Sequence, residues 1–265
     1  MAIAELLCTD LTSVETALAA GADRLEICAA LEVGGVTPGI AFLTAAVRLA
    51  EAQGSVEVVA LVRPRRGDFT LDTRGGLDLL ADEIRRAMGA GAGGVAAGVL
   101  TESYEVDQSA LEVMLRAATP GTLTFHRAID QVPHYARGVA TLVRAGVTRV
   151  LTSGGAASAL EGAPAIRELS DLYGGRLELI AAGGVKGSNA ARVLELCAPA
   201  AIHGSCSTLL DSESNTGDIS GGSSPVSMGR FAGWLPETAR TAMDPASAHA
   251  FVKAAHSARG LEVKE

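Results

Sequence analysis

The chain has 265 residues, 48% of them hydrophobic and only 3% aromatic, with a formal net charge of -8. That length suits one large domain with an aliphatic core, and the negative charge excludes general nucleic-acid binding, which needs clustered cations facing phosphate. No stretch approaches the roughly 20 consecutive apolar residues of a membrane helix, and Met1–Glu5 lacks the features of a signal peptide. A cytoplasmic protein with no membrane partner is therefore expected, its four cysteines too few for a disulfide scaffold and reduced.

In chain order, apolar runs predict strands at 3–7, 23–28, 56–63, 93–99, 121–126, 148–152, 176–182 and 200–204. Helical periodicity fills the gaps, for instance at 39–53, 77–90, 107–118 and 189–198. The strands are continuously apolar, as expected when both faces are covered. Glycines at 21, 91, 93, 146 and 174–175 punctuate the returns from helix to strand. This alternation predicts an α/β fold, a single (β/α)8 TIM-like barrel over 1–207; an open doubly wound sheet is the alternative. Residues 208–265 read as a C-terminal extension packed on the barrel or on a partner subunit. Within it, the Ser/Gly-rich segment 211–224 is expected to be a mobile loop. Asp244-Pro245 is expected to cap a last helix running to about Ser257.

On this map the polar groups fall at the carboxyl ends of strands, where a parallel barrel builds its site. Glu26 and Cys28 end the second strand, and Arg63, Arg65 and Asp68 follow the third. His126, Arg127 and Asp130 follow the fifth, Ser153-Gly154-Gly155 the sixth, Gly183-Gly184 the seventh, and His203 ends the eighth. Carboxylates, imidazoles and guanidinia converging on one concave site can move protons and hold an anion. Glu26 and His126 are the preferred acid/base pair, Arg63 the anion clamp, with Arg127, Asp130 and His203 as further candidates. Ser153, Gly154, Gly183 and Gly184 sit where barrel loops bind phosphate through backbone N–H groups. For any one of these residues the bland alternative is a solvated rim charge or a structural ion pair. Arg24 starts its strand and is assigned to the opposite, stability face, with Asp23 as a helix cap. His134, His249 and His256 fall on predicted helices as ordinary surface residues.

Cys8 and Cys28 end adjacent strands, which lie about 4.8 Å apart. Two thiolates so placed can hold Cu(I), a soft ion; the bland reading is a pair of buried thiols acting as small hydrophobes. A divalent ion on Glu5, Glu26, His126 or His203 is the weaker metal alternative.

The chain resembles the CutC family in Gly21–Cys28, Glu32–Pro38, Arg63–Phe69, Thr124–Asp130 and Arg149–Gly154, with Ala159–Gly162 and the segment around His203 also fitting. The resemblance implies a TIM-like barrel in the cytoplasm, self-association, and a link through the family name to copper homeostasis. It also implies Cu(I) ligation by cysteines at the ends of the first two strands. Cys28 falls on the family's Glu-x-Cys pattern, whereas the first strand reads Glu5-Leu6-Leu7-Cys8. Either Cys8 is shifted by one residue, onto the opposite strand face, or Glu5 is the displaced group. Two functions follow: a Cu(I)-binding homeostasis protein, or an enzyme acting on a small anionic, phosphorylated or sugar-like substrate.

Overall fold

The computed structural model describes residues 1–54, 56–71, 75–210 and 240–258. Its centre is a closed barrel of parallel strands in sequence order: β1 (Ile3–Cys8), β2 (Arg24–Ile27), β3 (Glu57–Leu61), β4 (Gly94–Ala97), β5 (Thr122–Phe125), β6 (Arg149–Thr152), β7 (Glu178–Ala181) and β8 (Ala201–Gly204). Around it lie α1 (Leu11–Ala19), α2 (Ile40–Ala52), α3 (Gly76–Gly89), α4 (Gln108–Ala118), α5 (Tyr135–Arg144), α6 (Ala163–Tyr173), α7 (Ala190–Cys197) and α8 (Pro245–Ser257). The barrel, rather than the open sheet, is the fold, and every predicted strand is present. All strands but β1 are shorter than their apolar runs, and β3 ends at Leu61, so Val62 and Arg63 already belong to the mouth loops.

Pairing of Glu5 with Arg24 and of Leu7 with Glu26 puts these residues on one face, because successive side chains of a strand alternate. The outward set, including Leu6, Cys8, Leu25, Ile27, Val95 and Phe125, packs under the helices in the main core. The inward set is split into two small apolar clusters, one of Leu7, Cys28, Val59, Leu61 and Ala96, the other of Leu151, Ile180, Ala182 and Ala201. The rest of the lumen is polar.

Its lower end is an ion network. Arg24, 1% exposed, binds Glu5 through Nε and lies 2.6 Å from Glu178 and 3.7 Å from Glu57. Arg149 grips Glu57 with two hydrogen bonds of 2.6 and 3.0 Å and reaches Glu178 at 3.2 Å. Each of these side chains comes from the start of its strand, apart from Glu5, which sits two residues into β1. Arg24 thus lies at the stability face, as its position at the strand start implies. Asp23 does not cap α1: its carboxylate accepts from the Ala4 N–H at 2.8 Å and pairs with His256 at 2.9 Å. His256 is thereby drawn out of the surface set, while His249 stays exposed.

Of the residues beyond 207, the last helix is packed on the barrel. The helix opens as expected, with the Asp244 side chain accepting from Ser247 N and Pro245 in the first turn. It packs against α1, α7 and β1 and buries Phe251 completely, so α8 is the eighth helix of the barrel. Between β8 and α8 an antiparallel pair, β9 (Ser207–Leu210) and β10 (Arg240–Met243), stands at the mouth. The segment 211–224, expected to be a loop, lies outside the described residues.

Replacing Arg24 with alanine would leave Glu5, Glu57 and Glu178 converging without their shared cation. We expect a stability loss of roughly 3–5 kcal/mol in urea unfolding at pH 7. A loss below about 1 kcal/mol would show that the network is not under electrostatic load.

Candidate active site

A cavity of about 450 Å³ opens at the carboxyl end of the barrel. Leu7, Leu31, Leu61 and Leu151 supply apolar wall; Glu26, His126, His203, Arg63, Arg127 and Lys186 supply the charge and hydrogen bonding. Phe69, the Gly183–Val185 loop and Gly204–Ser207 complete the rim.

Its acid/base centre is Glu26 with His203. Glu26 is 3% exposed, yet among the described residues nothing hydrogen-bonds its carboxyl. Burial raises its pKa from 4.5 to about 7, with His203 and Arg24 opposing the shift and Glu5 adding to it. His203 donates or shares a proton with Glu5, Nδ1 to Oε1 at 2.6 Å. Burial alone would lower the His203 pKa, but Glu26 and Glu5 outweigh it and hold the ring toward the imidazolium. For Glu5 burial acts upward, and Arg24 and His203 overcome it to bring the carboxyl down to about 2. Glu5 is therefore a permanent carboxylate that links the ion network below to the cavity above. Sequence reasoning left it a metal alternative; the available signal was a carboxylate inside an otherwise apolar strand.

Three expected roles change. His126 is not an acid or base near neutrality, since burial and then Arg63 lower its pKa to about 3. Its Nδ1 accepts from Ala128 N at 3.3 Å, capping the short helical turn Arg127–Gln131. Arg63 is not a free anion clamp: Nη1 donates to the carbonyls of Gly34 and Gly35 at 3.2 and 3.1 Å, and Nη2 to Gly67 O at 2.9 Å. Its guanidinium also lies 4.9 Å over the Phe69 ring, so it ties the loop after β2 to the loop after β3. Asp130 is likewise taken up by the protein itself. Its carboxylate accepts from Arg127 Nε, Thr152 Oγ1, Ser153 N and Gly155 N, at 2.6 to 3.2 Å.

That last arrangement settles the glycine loops. Of the backbone donors after β6, Ser153 N and Gly155 N donate to Asp130 and Gly154 N donates to Thr152 Oγ1, and neither Ser153 nor Gly154 lines the cavity. The loop after β7 is different. Gly183 and Gly184 adopt φ of +93° and +73°, which glycine tolerates without strain. Among the described residues no acceptor takes the N–H of Gly184 or Val185, and both line the cavity. The Arg127 guanidinium packs over Gly183, where a Cβ would sit 3.3 Å from Cζ. Its Nη2 is held by Ser153 Oγ at 2.8 Å, and exposed Lys186 stands beside it on the rim. Two backbone donors and two cations thus line the same cavity as Glu26, a set of groups that could hold an anion. Lys186 was missed; its only signal was its place directly after the glycine pair and Val185.

The cysteines do not form a two-thiolate centre. Cys8 pairs in register with Ile27 and joins the outward core, whereas Cys28 belongs to the inward cluster beneath Gly35. Burial drives both thiols well above their ordinary range, which disfavours thiolate. Glu5, not Cys8, faces the lumen with Glu26. Glu5, Glu26 and His203 keep their ligand atoms within 4.8 Å of one another. That oxygen-rich set suits a divalent ion rather than soft Cu(I), and Arg24 and His203 already neutralise Glu5.

Fold and cavity together define a (β/α)8 barrel protein with a cavity lined by charged and polar side chains at its carboxyl mouth. The CutC family model matches residues 2–208, and the chain belongs to the CutC family. It is 38% identical over 191 residues to a CutC family protein of Pasteurella multocida, covering 72% of this chain and 76% of the relative. It is 36% identical over 209 residues to a human protein named copper homeostasis protein cutC homolog, covering 78% and 74%. The crystal structure of CutC from Streptococcus agalactiae matches with a TM-score of 0.72 at 28% identity, over 77% of this chain and 99% of that one.

Two measurements check this site. All four cysteines are buried, so a thiol reagent at pH 8 is expected to react only at the rate of unfolding; rapid native labelling of Cys28 would contradict its placement. Glu26 and His203 both bind protons more tightly in the folded state, so their contribution to stability is present at low pH and lost as pH rises through their folded values. Glu26→Gln should therefore flatten the fall in unfolding free energy between about pH 5 and 8, by roughly 1–3 kcal/mol.

Proposed function

We propose that this protein is an enzyme whose working site is the barrel-mouth cavity, acting on a small anionic, phosphorylated or sugar-like molecule by acid–base chemistry. The observation that carries this reading is Glu26, a buried carboxyl lining the cavity, with no hydrogen-bond partner among the described residues and a pKa of about 7. Leaving such a group unsatisfied costs stability, and a group poised near neutrality is what proton exchange requires. Arg127, Lys186 and the N–H groups of Gly184 and Val185 bind the anion; His203, held by Glu5, supplies the opposite charge beside Glu26.

A role in copper homeostasis is the second reading, supported by the names of the human and Caenorhabditis elegans relatives, each a copper homeostasis protein cutC homolog. The donor chemistry favours expressing such a role through the cavity, since the two thiols face apart. Anaerobic Cu(I) titration separates the readings. Comparable weak uptake by wild type and Cys28→Ser supports the enzyme; tight binding lost in Cys28→Ser would establish a thiolate site and displace it.

For the anion subsite, Lys186→Ala and Arg127→Ala should each weaken binding of inorganic phosphate by about 3–30-fold in calorimetric titration. Salt should weaken wild-type binding in parallel. Unchanged affinity in both variants would remove the loop after β7 from the site.

A further inference from the structure

His126 and Glu26 line the same cavity but have different equipment. The His126 ring accepts a hydrogen bond at Nδ1 from Ala128 N, so its one proton sits on Nε2. Among the described residues no acceptor takes that Nε2–H. The ring cannot drift: Phe69 packs edge-on at 5.0 Å, and Gly98 leaves room where a Cβ would come within 2.7 Å of Nδ1. His126 is thus a fixed, uncharged donor 5% exposed to solvent, and Glu26 a buried acceptor without a donor. The hydroxyls at the rim are committed elsewhere, Ser205 bonding Ser207 at 2.8 Å, and the Cys206 thiol is pushed up by burial. Among the described residues, no hydroxyl or thiol lining the cavity is paired with a base, the arrangement that nucleophilic acyl or glycosyl transfer uses.

We propose that the cavity transfers a proton at a carbon next to a carbonyl, with Glu26 as the base and His126 Nε2–H as the donor to the carbonyl oxygen. This rests on the cavity being the anion-binding active site. The Glu26 carboxylate takes the proton as the C–H bond breaks, and that electron pair becomes the C=C bond of an enolate. The carbonyl π pair moves onto oxygen, where the His126 hydrogen bond holds the growing charge. Return of the proton to the same carbon gives exchange; with a hydroxyketone, its return to the former carbonyl carbon, together with passage of the hydroxyl proton from the neighbouring oxygen to the former carbonyl oxygen, gives the isomeric aldehyde. No electrons leave the substrate and no co-reactant is consumed. An uncharged imidazole suits this task because its own acidity is close to that of an enediol, so it stabilises the oxyanion without surrendering its proton early. The anion subsite holds the far end of the substrate and fixes the reacting carbon over Glu26.

The test uses the full-length protein in D2O with dihydroxyacetone phosphate, ribulose 5-phosphate and 3-phosphohydroxypyruvate, following deuterium uptake beside the carbonyl by NMR and binding by calorimetry. Wild type should wash deuterium into at least one probe that it binds. Glu26→Gln should bind that probe within a few-fold of wild type yet exchange it about 100-fold more slowly or worse. His126→Ala should lose about 100-fold in exchange, and His126→Gln, which retains an N–H donor, should recover part of it. Binding that depends on Lys186, with no exchange above the buffer rate, would overturn the proton transfer and leave the anion site standing. Absence of binding by any probe and by inorganic phosphate would overturn both. Equal exchange by wild type and Glu26→Gln would remove Glu26 as the base.

Discussion

The Arg24 guanidinium is the element on which the rest of the barrel interior depends. It lies buried among Glu5, Glu57 and Glu178, where a cation and several carboxylates would each be unaffordable alone in a low-dielectric lumen. By neutralising Glu5 it keeps that carboxylate ionised in the barrel wall. Glu5 in turn holds His203 at Nδ1, and the charge held on His203 moderates the burial-driven rise at Glu26. Three strands, β1, β2 and β8, are thereby linked electrostatically from the closed end of the barrel to its mouth. The environment of Glu26 is thus influenced, through Glu5 and His203, by a group that does not line the cavity.

The mouth itself divides into two kinds of charge. Arg63, Arg65 and Asp130 spend their hydrogen bonds on the loops that form the rim. Their removal would loosen walls rather than delete chemistry. Glu26, Arg127 and Lys186 keep capacity facing the cavity, as do the free N–H groups after β7. The contrast between the glycine turns after β6 and β7 shows why a motif alone does not assign a site. One already holds the chain's own carboxylate, and the other is open to a ligand.

The copper question resolves along the same line at the level of geometry. Cys8 and Cys28 belong to opposite faces of adjoining strands, and strand pleating forbids them from converging without a change of register. What converges instead is Glu5 with Glu26 and His203, a set of oxygens and one nitrogen.

Much of the architecture was written locally. Continuous apolar runs at regular spacing, glycine returns and the Asp244-Pro245 helix start are near-neighbour patterns, and they specified the barrel strands and the last helix. The same patterns put Glu26, Arg127, Gly184 and His203 at strand ends, hence near one mouth. Partner choice was not local. Whether Arg63 met a ligand or the carbonyls of Gly34 and Gly35, and whether Asp130 was free or wrapped by Ser153 and Gly155, depends on loops packed against one another across the barrel. The pairing of β9 with β10 joins segments some thirty residues apart, and the joining of Glu5 to His203 spans 198 positions. Sequence by itself determined which residues stand at the ends of the strands, because periodicity and turn chemistry act over a few residues. Only the closed barrel decided which of those side chains keep an unspent charge or hydrogen bond, because burial and partnership are properties of the whole enclosure.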